Sequence, residues 1–208
     1  MGAWGAVSNM EARSPEASRR SMRTRDARRA IIAAMREPLD RIKLERFLSA
    51  LGAAVKGPGR VYLTGGATAV AQGWREGTVD IDLSLDPEPP GAFEAIAELK
   101  ERLDVNVELA SPADFLPEVP GWRERSLFFM RAGHVEVFHY DPVSQVLAKL
   151  ARGFQRDLAD ADAMVARGLV SRAAVNEAFA AISPSLARYP RIDGPTLANR
   201  VAAFTERG

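Results

Sequence analysis

The sequence contains no cysteine and only two histidines, His134 and His139, among its 208 residues. The lack of cysteine excludes disulfide bonds, thiol catalysis and cysteine-ligated zinc. The two histidines fall on opposite faces of one predicted hairpin, which argues against a histidine-based metal site. No apolar run approaches the roughly 18 residues that span a bilayer, and the N-terminus lacks the apolar stretch of a signal peptide. We therefore expect a cytoplasmic protein without a membrane partner.

Neither sign of charge dominates the chain, since 28 Lys and Arg residues face 27 Asp and Glu residues and the net charge is +1. The distribution is uneven, because residues 1–30 hold seven arginines and three acidic residues. We predict that residues 1–24 form a basic, flexible leader. The alternative is an arm that attracts RNA.

The spacing of apolar residues predicts alternating helices and strands, and then helices alone. Helical periodicity runs from Asp26 to Val55 with a division at Pro38. Strands are predicted at 61–63, 79–85 and 105–109, helices at 67–74 and from about 90 to 103, and a hairpin at 127–140. After residue 141 the pattern is helical, with breaks near Gly153 and Gly168. This order predicts an α/β (α+β) fold with a core at 25–140 and a helical module at 141–208.

Three side chains stand where helix N-caps are expected. They are Ser111, which has Asp114 three residues later as a capping partner, Ser171 and Asp193.

Asp80 and Asp82 carry the strongest chemical signal in the sequence. Residues two apart on a strand project from the same face, about 7 Å apart along the strand. Two carboxylates at that spacing repel each other unless a positive charge lies between them. An oxygen-preferring divalent cation, Mg²⁺ or Mn²⁺, is the natural candidate; the alternative is an ordinary solvated strand edge.

A glycine pair, Gly65-Gly66, precedes these carboxylates by fourteen residues. Glycines let the backbone approach a ligand closely, and the helix that follows presents free N–H groups to an anion. The hydroxyls of Thr64 and Thr68 add donors, so the segment is interpreted as a phosphate cradle that faces the metal pair. Its alternative is an ordinary turn.

The order of Gly-Gly, helix and Asp-x-Asp strand resembles the polymerase-β-type nucleotidyltransferase superfamily. Within it, the chain is most similar to the AbiEii-type group of toxin–antitoxin and abortive-infection nucleotidyltransferases. The resemblance covers roughly residues 35–205, and Ala67-Thr68 stands where the family usually has a serine. The segments that carry it are Thr64–Thr68, Arg75, Thr78–Leu83, Leu147–Gly153 and Arg156–Leu158.

The resemblance implies a polymerase-β-like core with a small mixed sheet, followed by the helical module. It also implies transfer of NMP from an NTP, with Asp80 and Asp82 as metal ligands. The superfamily often has a third carboxylate on the next strand, for which Glu108 is the first candidate and Glu136 the second. The implied acceptor is the 3′ end of tRNA, and the implied partner is a cognate antitoxin protein.

Further roles follow from the same resemblance. Lys149 is expected to bind nucleotide phosphates together with Gly65, Gly66 and Thr68, and Asp157 to orient Lys149 or a polar group of the substrate. Eight residues separate Lys149 from Asp157, so on one continuous helix they share a face, although Gly153 lies between them. The alternative is a surface ion pair worth under about 1 kcal/mol. Arg75 and Arg152 are further phosphate-binding candidates.

Two other functions remain open from the sequence. The fold suits a catalytically silent or regulatory nucleotide-binding module. It also suits a nucleotidyltransferase that modifies a protein or a small molecule instead of tRNA.

Overall fold

A five-stranded mixed sheet organises residues 38–207, which are the residues that a computed structural model describes. These residues belong to one compact unit. The leader predicted at 1–24, the predicted domain start at residue 25 and the helix predicted before Pro38 lie outside the described residues.

The strands run in the order β3-β2-β1-β5-β4 across the sheet. β1 is parallel to β5 and antiparallel to β2, β3 is parallel to β2, and β4 and β5 form the predicted antiparallel hairpin. With eight α-helices in the described residues, the fold is mixed α/β, as predicted. The strands are β1 (Gly59–Leu63), β2 (Asp80–Leu85), β3 (Asn106–Leu109), β4 (Leu127–Ala132) and β5 (Val135–His139).

Two helices, α1 (Arg41–Ala54) and α3 (Ala92–Arg102), cover one face of the sheet. Every second strand residue points towards them, and the residues between these point to the opposite face. Asp80, Tyr62 and Asn106 therefore lie on the face that α1 and α3 leave uncovered. The first core comprises, among others, Leu44, Phe47, Leu51, Val61, Leu63, Ile81, Leu83, Ile96, Val107, Val135 and Val137.

A second core is built by the helices after the hairpin, and their apolar sides meet away from the sheet core. Leu116 and Val119 also pack into it, although they precede the predicted boundary at residue 140. The helices are α5 (Pro142–Arg152), α6 (Gln155–Ala166), α7 (Arg172–Ile182) and α8 (Gly194–Thr205). The second core includes Val146, Leu147, Leu150, Ala161, Met164, Val175, Leu197, Val201 and Phe204.

The predicted caps and breaks are confirmed. Ser171 accepts a hydrogen bond from the Ala174 N–H and Asp193 one from the Thr196 N–H. Ser111 forms the predicted capping box with Asp114 at a short 3₁₀ helix, Pro112–Asp114. Gly153 ends α5 and Gly168 follows the end of α6, each with a φ of +70° that favours glycine.

Several boundaries differ from the predictions by one to three residues, and one helix was not predicted. Helix α2 spans Gly65–Ala71, so it begins two residues before the predicted start at Ala67. β2 begins at Asp80, and Val79 before it is exposed. A short helix, α4 (Trp122–Arg125), was not predicted; it places the Trp122 ring parallel to that of Tyr140, with 4.4 Å between the ring centroids.

Candidate active site

Asp80 and Asp82 lie on the same face of β2, as the alternation predicted. Ile81 and Leu83 between and beyond them are fully buried in the sheet core, while both aspartates are half-buried. Asn106 on β3 donates a hydrogen bond from Nδ2 to Asp80 Oδ1 at 2.5 Å. The neighbouring strand therefore holds one carboxylate of the pair in a fixed position.

Glu108, and not Glu136, is the third carboxylate beside this pair. β3 runs parallel to β2 with Asp82 opposite Glu108 in the register, so both side chains project from the same face. Glu136 lies on β5, which is separated from β2 by β1. Its carboxylate pairs with Arg60 at 3.4 Å and with Arg131.

The glycine pair allows a close approach, and the groups that approach are the protein's own side chains. Gly65 has a φ of +55°, and a Cβ there would stand 2.6 Å from Asp82 Oδ2. A Cβ at Gly66 would stand 2.1 Å from the hydroxyl oxygen of Thr78. The Gly65 N–H donates to Gln145 Oε1 at 3.1 Å. The absence of a side chain at Gly65 thus lets the Asp82 carboxylate pack against the first residue of α2.

Thr68 does not face a phosphate site, contrary to the prediction. Its side chain is almost fully buried, and its hydroxyl donates to the Leu63 carbonyl at 2.9 Å. The reason is the earlier start of α2, which makes Thr68 the fourth helical residue and turns it inwards. The Thr64 hydroxyl is likewise used inside the protein, where it donates to the Ala110 carbonyl at 3.4 Å.

The Asp160 carboxylate accepts hydrogen bonds from three side chains. The sequence did not predict a role for this residue. Lys149 Nζ donates to Asp160 Oδ2 at 2.5 Å, and Trp74 Nε1 donates to Oδ1 at 3.1 Å. Arg75 Nε donates to Oδ1 at 2.8 Å, and its second nitrogen bonds the other oxygen. The side chains of Lys149 and Asp160 are 3% and 4% exposed, so this ion pair is shielded from water. We call Trp74, Arg75, Lys149 and Asp160 the Asp160 network.

Asp157 contributes to this region mainly through Arg152. Arg152 donates two parallel hydrogen bonds to the Asp157 carboxylate, at 3.0 and 2.6 Å, whereas Lys149 Nζ is 3.7 Å from it. Lys149 and Asp157 do not lie on one continuous helix, because Gly153 ends α5 and Asp157 lies on α6. Asp160 stands one helical turn after Asp157, and that spacing was the available signal for a second carboxylate on the same face.

Burial and Asp160 act in opposite directions on the pKa values of the cations in the Asp160 network. Burial lowers the pKa of Lys149, while the hydrogen bond and charge of Asp160 act in the opposite direction. The pKa of Arg75 is lowered chiefly by burial, again opposed by the charge of Asp160. Without Asp160, both cations would lose the partner that supports their charge in this position.

Helix α2 connects the two groups of charged residues. Asp82 contacts its first residue, Gly65, and Trp74 and Arg75 of the Asp160 network follow its last turn. Seven helical residues rise about 10 Å. The predicted site residues therefore form two groups at opposite ends of α2: Asp80, Asp82 and Glu108 at one end, and Arg75 and Lys149 at the other.

No family model, curated protein or solved structure matches this chain. Within residues 38–207, no helix is long and apolar enough to cross a membrane. No group of three or more histidine, cysteine or acidic side chains in the same residues is arranged to hold a metal ion.

Proposed function

We propose that this protein is a metal-dependent nucleotidyltransferase with a polymerase-β-like core, which moves NMP from an NTP to an acceptor. The observation that carries the proposal is the position of Asp82. Its carboxylate lies against Gly65 and opposite Glu108 in the strand register, with Asp80 on the same strand face. This arrangement joins the two motifs of the family resemblance, Gly-Gly and Asp-x-Asp, in one place.

The residues present suit Mg²⁺ or Mn²⁺ by their chemistry. Asp80, Asp82 and Glu108 offer only oxygen ligands, which these hard cations prefer. Mg²⁺ is usually held by one or two carboxylates together with substrate phosphates, so a ready-made group of three protein ligands is not required. When bound, the metal supplies charge neutralisation of the triphosphate and activation of the acceptor hydroxyl.

The protein's own groups position the reaction partners in this proposal. Asn106 holds Asp80, and Gly65 leaves room for the Asp82 carboxylate at the start of α2. The Asp160 network fixes the segment that follows α2. Because Lys149 and Arg75 both donate to Asp160, we assign them to positioning this helix and not to the phosphate binding that the resemblance implied. Such a reaction depends on positioning and charge more than on a covalent side chain.

The acceptor is proposed from the resemblance alone. It favours the 3′ end of tRNA and hence a toxin that a cognate antitoxin restrains. If the acceptor is a protein or a small molecule, the transfer reaction is the same and only the acceptor differs. If the protein is a silent or regulatory module, it binds the nucleotide without transferring NMP.

The test incubates the protein with each α-labelled NTP, Mg²⁺ and total RNA, and compares Asp82→Asn with Glu136→Gln. We expect labelled tRNA from the wild type and a loss of about 100-fold or more in Asp82→Asn, the scale on which a charge-stabilising group acts. Glu136→Gln, which removes a carboxylate from the same sheet face, should stay active. Thermal stabilisation by NTP with Mg²⁺ should disappear in the Asp82 variant only.

Three other results discriminate between the functions. Label on protein alone would overturn tRNA as the acceptor and keep the reaction class. Stabilisation by NTP without label on any acceptor would favour the silent module. Equal activity of Asp82→Asn and the wild type would overturn the proposed site.

A further inference from the structure

A cavity of about 330 Å³ is lined by Arg152, which pairs with Asp157, and by residues from two loop segments. Asp114 and Phe115, from the segment that leaves β3, line it. Arg188, Tyr189 and Arg191, from the segment between α7 and α8, also line it, as does Arg152 at the end of α5. The volume is at the lower end of the roughly 300–1,000 Å³ of ligand pockets.

The cavity carries a surplus of positive charge. Arg188 and Arg191 are exposed, and neither makes an ion pair or side-chain hydrogen bond with any residue in 38–207. The acidic residue in the lining, Asp114, already accepts the Ser111 N–H at 2.6 Å in its capping box. Two guanidinium groups are therefore left to face the cavity without a described acceptor.

Aromatic rings stand beside these arginines. Phe115 is 43% exposed, and Tyr189, which also lines the cavity, is half-buried. Guanidinium groups match the geometry of phosphate oxygens, and aromatic rings stack on nucleobases of any sequence. A nucleotide combines a phosphate and a planar base in one small unit, so the combination of arginines and rings favours a nucleotide.

We propose that this cavity binds a nucleoside monophosphate unit, with its phosphate on Arg188 and Arg191 and its base beside Phe115 and Tyr189. The unit comes either from a free nucleotide or from a single-stranded RNA. The proposal goes beyond the transfer reaction, since it concerns none of Asp80, Asp82 and Glu108. It adds a basic surface on the helical module, and Arg152 connects that surface to Asp157.

The experiment measures binding of two probes to the full chain, with EDTA present to suppress metal-dependent binding elsewhere. The probes are AMP, followed by calorimetry, and a short fluorescein-labelled single-stranded RNA, followed by anisotropy. The variant is Arg188→Gln/Arg191→Gln. The control Arg46→Gln/Arg102→Gln removes the same charge from exposed positions on α1 and α3.

We expect the cavity variant to weaken binding at least about tenfold, the effect of losing charged hydrogen bonds, and the control to change it less than about twofold. If the cavity variant binds both AMP and the RNA more weakly, a free nucleotide is sufficient as the ligand. If it binds only the RNA more weakly, the ligand is a nucleotide unit within a single-stranded RNA. Unchanged binding, or equal losses in cavity variant and control, would overturn the proposal. Phe115→Leu should also weaken binding, whereas Phe93→Leu, which removes another exposed ring on α3, should not.

Failure of this proposal can be told apart from failure of the transfer reaction. Asp82→Asn should leave RNA binding in EDTA unchanged, because Asp82 does not line the cavity. Circular dichroism of each variant shows whether it is folded before binding is compared.

Discussion

At the scale of single residues, Gly65 combines two constraints that glycine alone satisfies. Its φ of +55° lies in the left-handed region, and a side chain there would meet the Asp82 carboxylate at 2.6 Å. Gly73 shares only the first constraint, because its φ is +79° and a Cβ there would meet nothing within 4 Å. The two glycines allow the backbone cost and the steric cost to be measured separately.

We expect Gly65→Ala to destabilise the protein more than Gly73→Ala. The Gly73 substitution carries only the left-handed backbone cost, about 1 kcal/mol, whereas the Gly65 substitution also displaces the Asp82 carboxylate. Urea unfolding of both variants measures the difference, and the proposed transfer activity should fall only in Gly65→Ala. Equal losses of stability would contradict the close approach of Asp82.

His139 is a buried histidine without a charged partner for its ring among residues 38–207. Its side chain is 2% exposed and lies beside the Phe129 ring, with 5.0 Å between the ring centroids. Nδ1 is buried and has no hydrogen-bond partner within the described residues. Burial, with a smaller effect of the Arg41 charge, lowers the pKa of His139 from 6.5 to about 4, so the folded protein holds this histidine neutral.

We expect the stability that His139 supports to be lost as the pH falls from 6.5 towards 4. In this range the unfolded histidine binds a proton and the folded one does not, so protonation favours unfolding by about 3 kcal/mol at most. Urea unfolding across this range should show a smaller pH dependence in His139→Gln than in the wild type. The control is His134→Gln at the exposed histidine, and an equal change in both variants would contradict the assignment.

At the scale of elements, one carboxylate ties α6 to α5 and to the segment after α2. Asp160 accepts from Lys149 on α5 and from Trp74 and Arg75 after α2. Two residues further along α6, Asp162 pairs with Arg172 at 3.4 Å and Arg207 at 3.2 Å, and it is 40% exposed. The same helix thus offers a buried and an exposed aspartate for comparison.

We expect Asp160→Asn to lower the free energy of unfolding by about 3–5 kcal/mol, because two buried cations lose the carboxylate that accepts their hydrogen bonds. Asp162→Asn should cost under about 1 kcal/mol, since water screens its ion pairs. Urea unfolding at neutral pH measures both. Similar small effects of the two substitutions would show that the Asp160 network does not hold these elements together.

The elements also show what a sequence can predict. Period-two alternation placed Asp80 and Asp82 on one strand face, and the caps at Ser171 and Asp193 depend on contacts three residues apart. The role of Asp160 depends on a chain reversal at Gly153 and on donors 85 and 86 residues away. No local pattern encodes that distance, so Lys149 was paired with Asp157, whose main partner is Arg152.

At the scale of the whole molecule, residues 38–207 contain two large hydrophobic cores and a small aromatic cluster within one compact unit. Polar contacts join the part of the chain that forms the sheet to the helices that form the second core. Gln145 on α5 accepts from Gly65 and donates to the Tyr140 carbonyl at 2.7 Å. Leu116 and Val119 precede the C-terminal helices in the sequence but pack in the core that these helices form. Neither core can therefore be exposed without breaking contacts of the other.

We expect the two cores to open together. Native-state hydrogen exchange should give the slowest amides of β1, at Val61–Leu63, and those of α5, at Leu147–Leu150, the same free energy of opening, because cooperative units exchange as one. In Asp160→Asn, which removes a link between α6 and the segment after α2, the α5 amides should exchange faster than those of β1. A lower opening free energy for α5 already in the wild type would show that the helical module unfolds on its own.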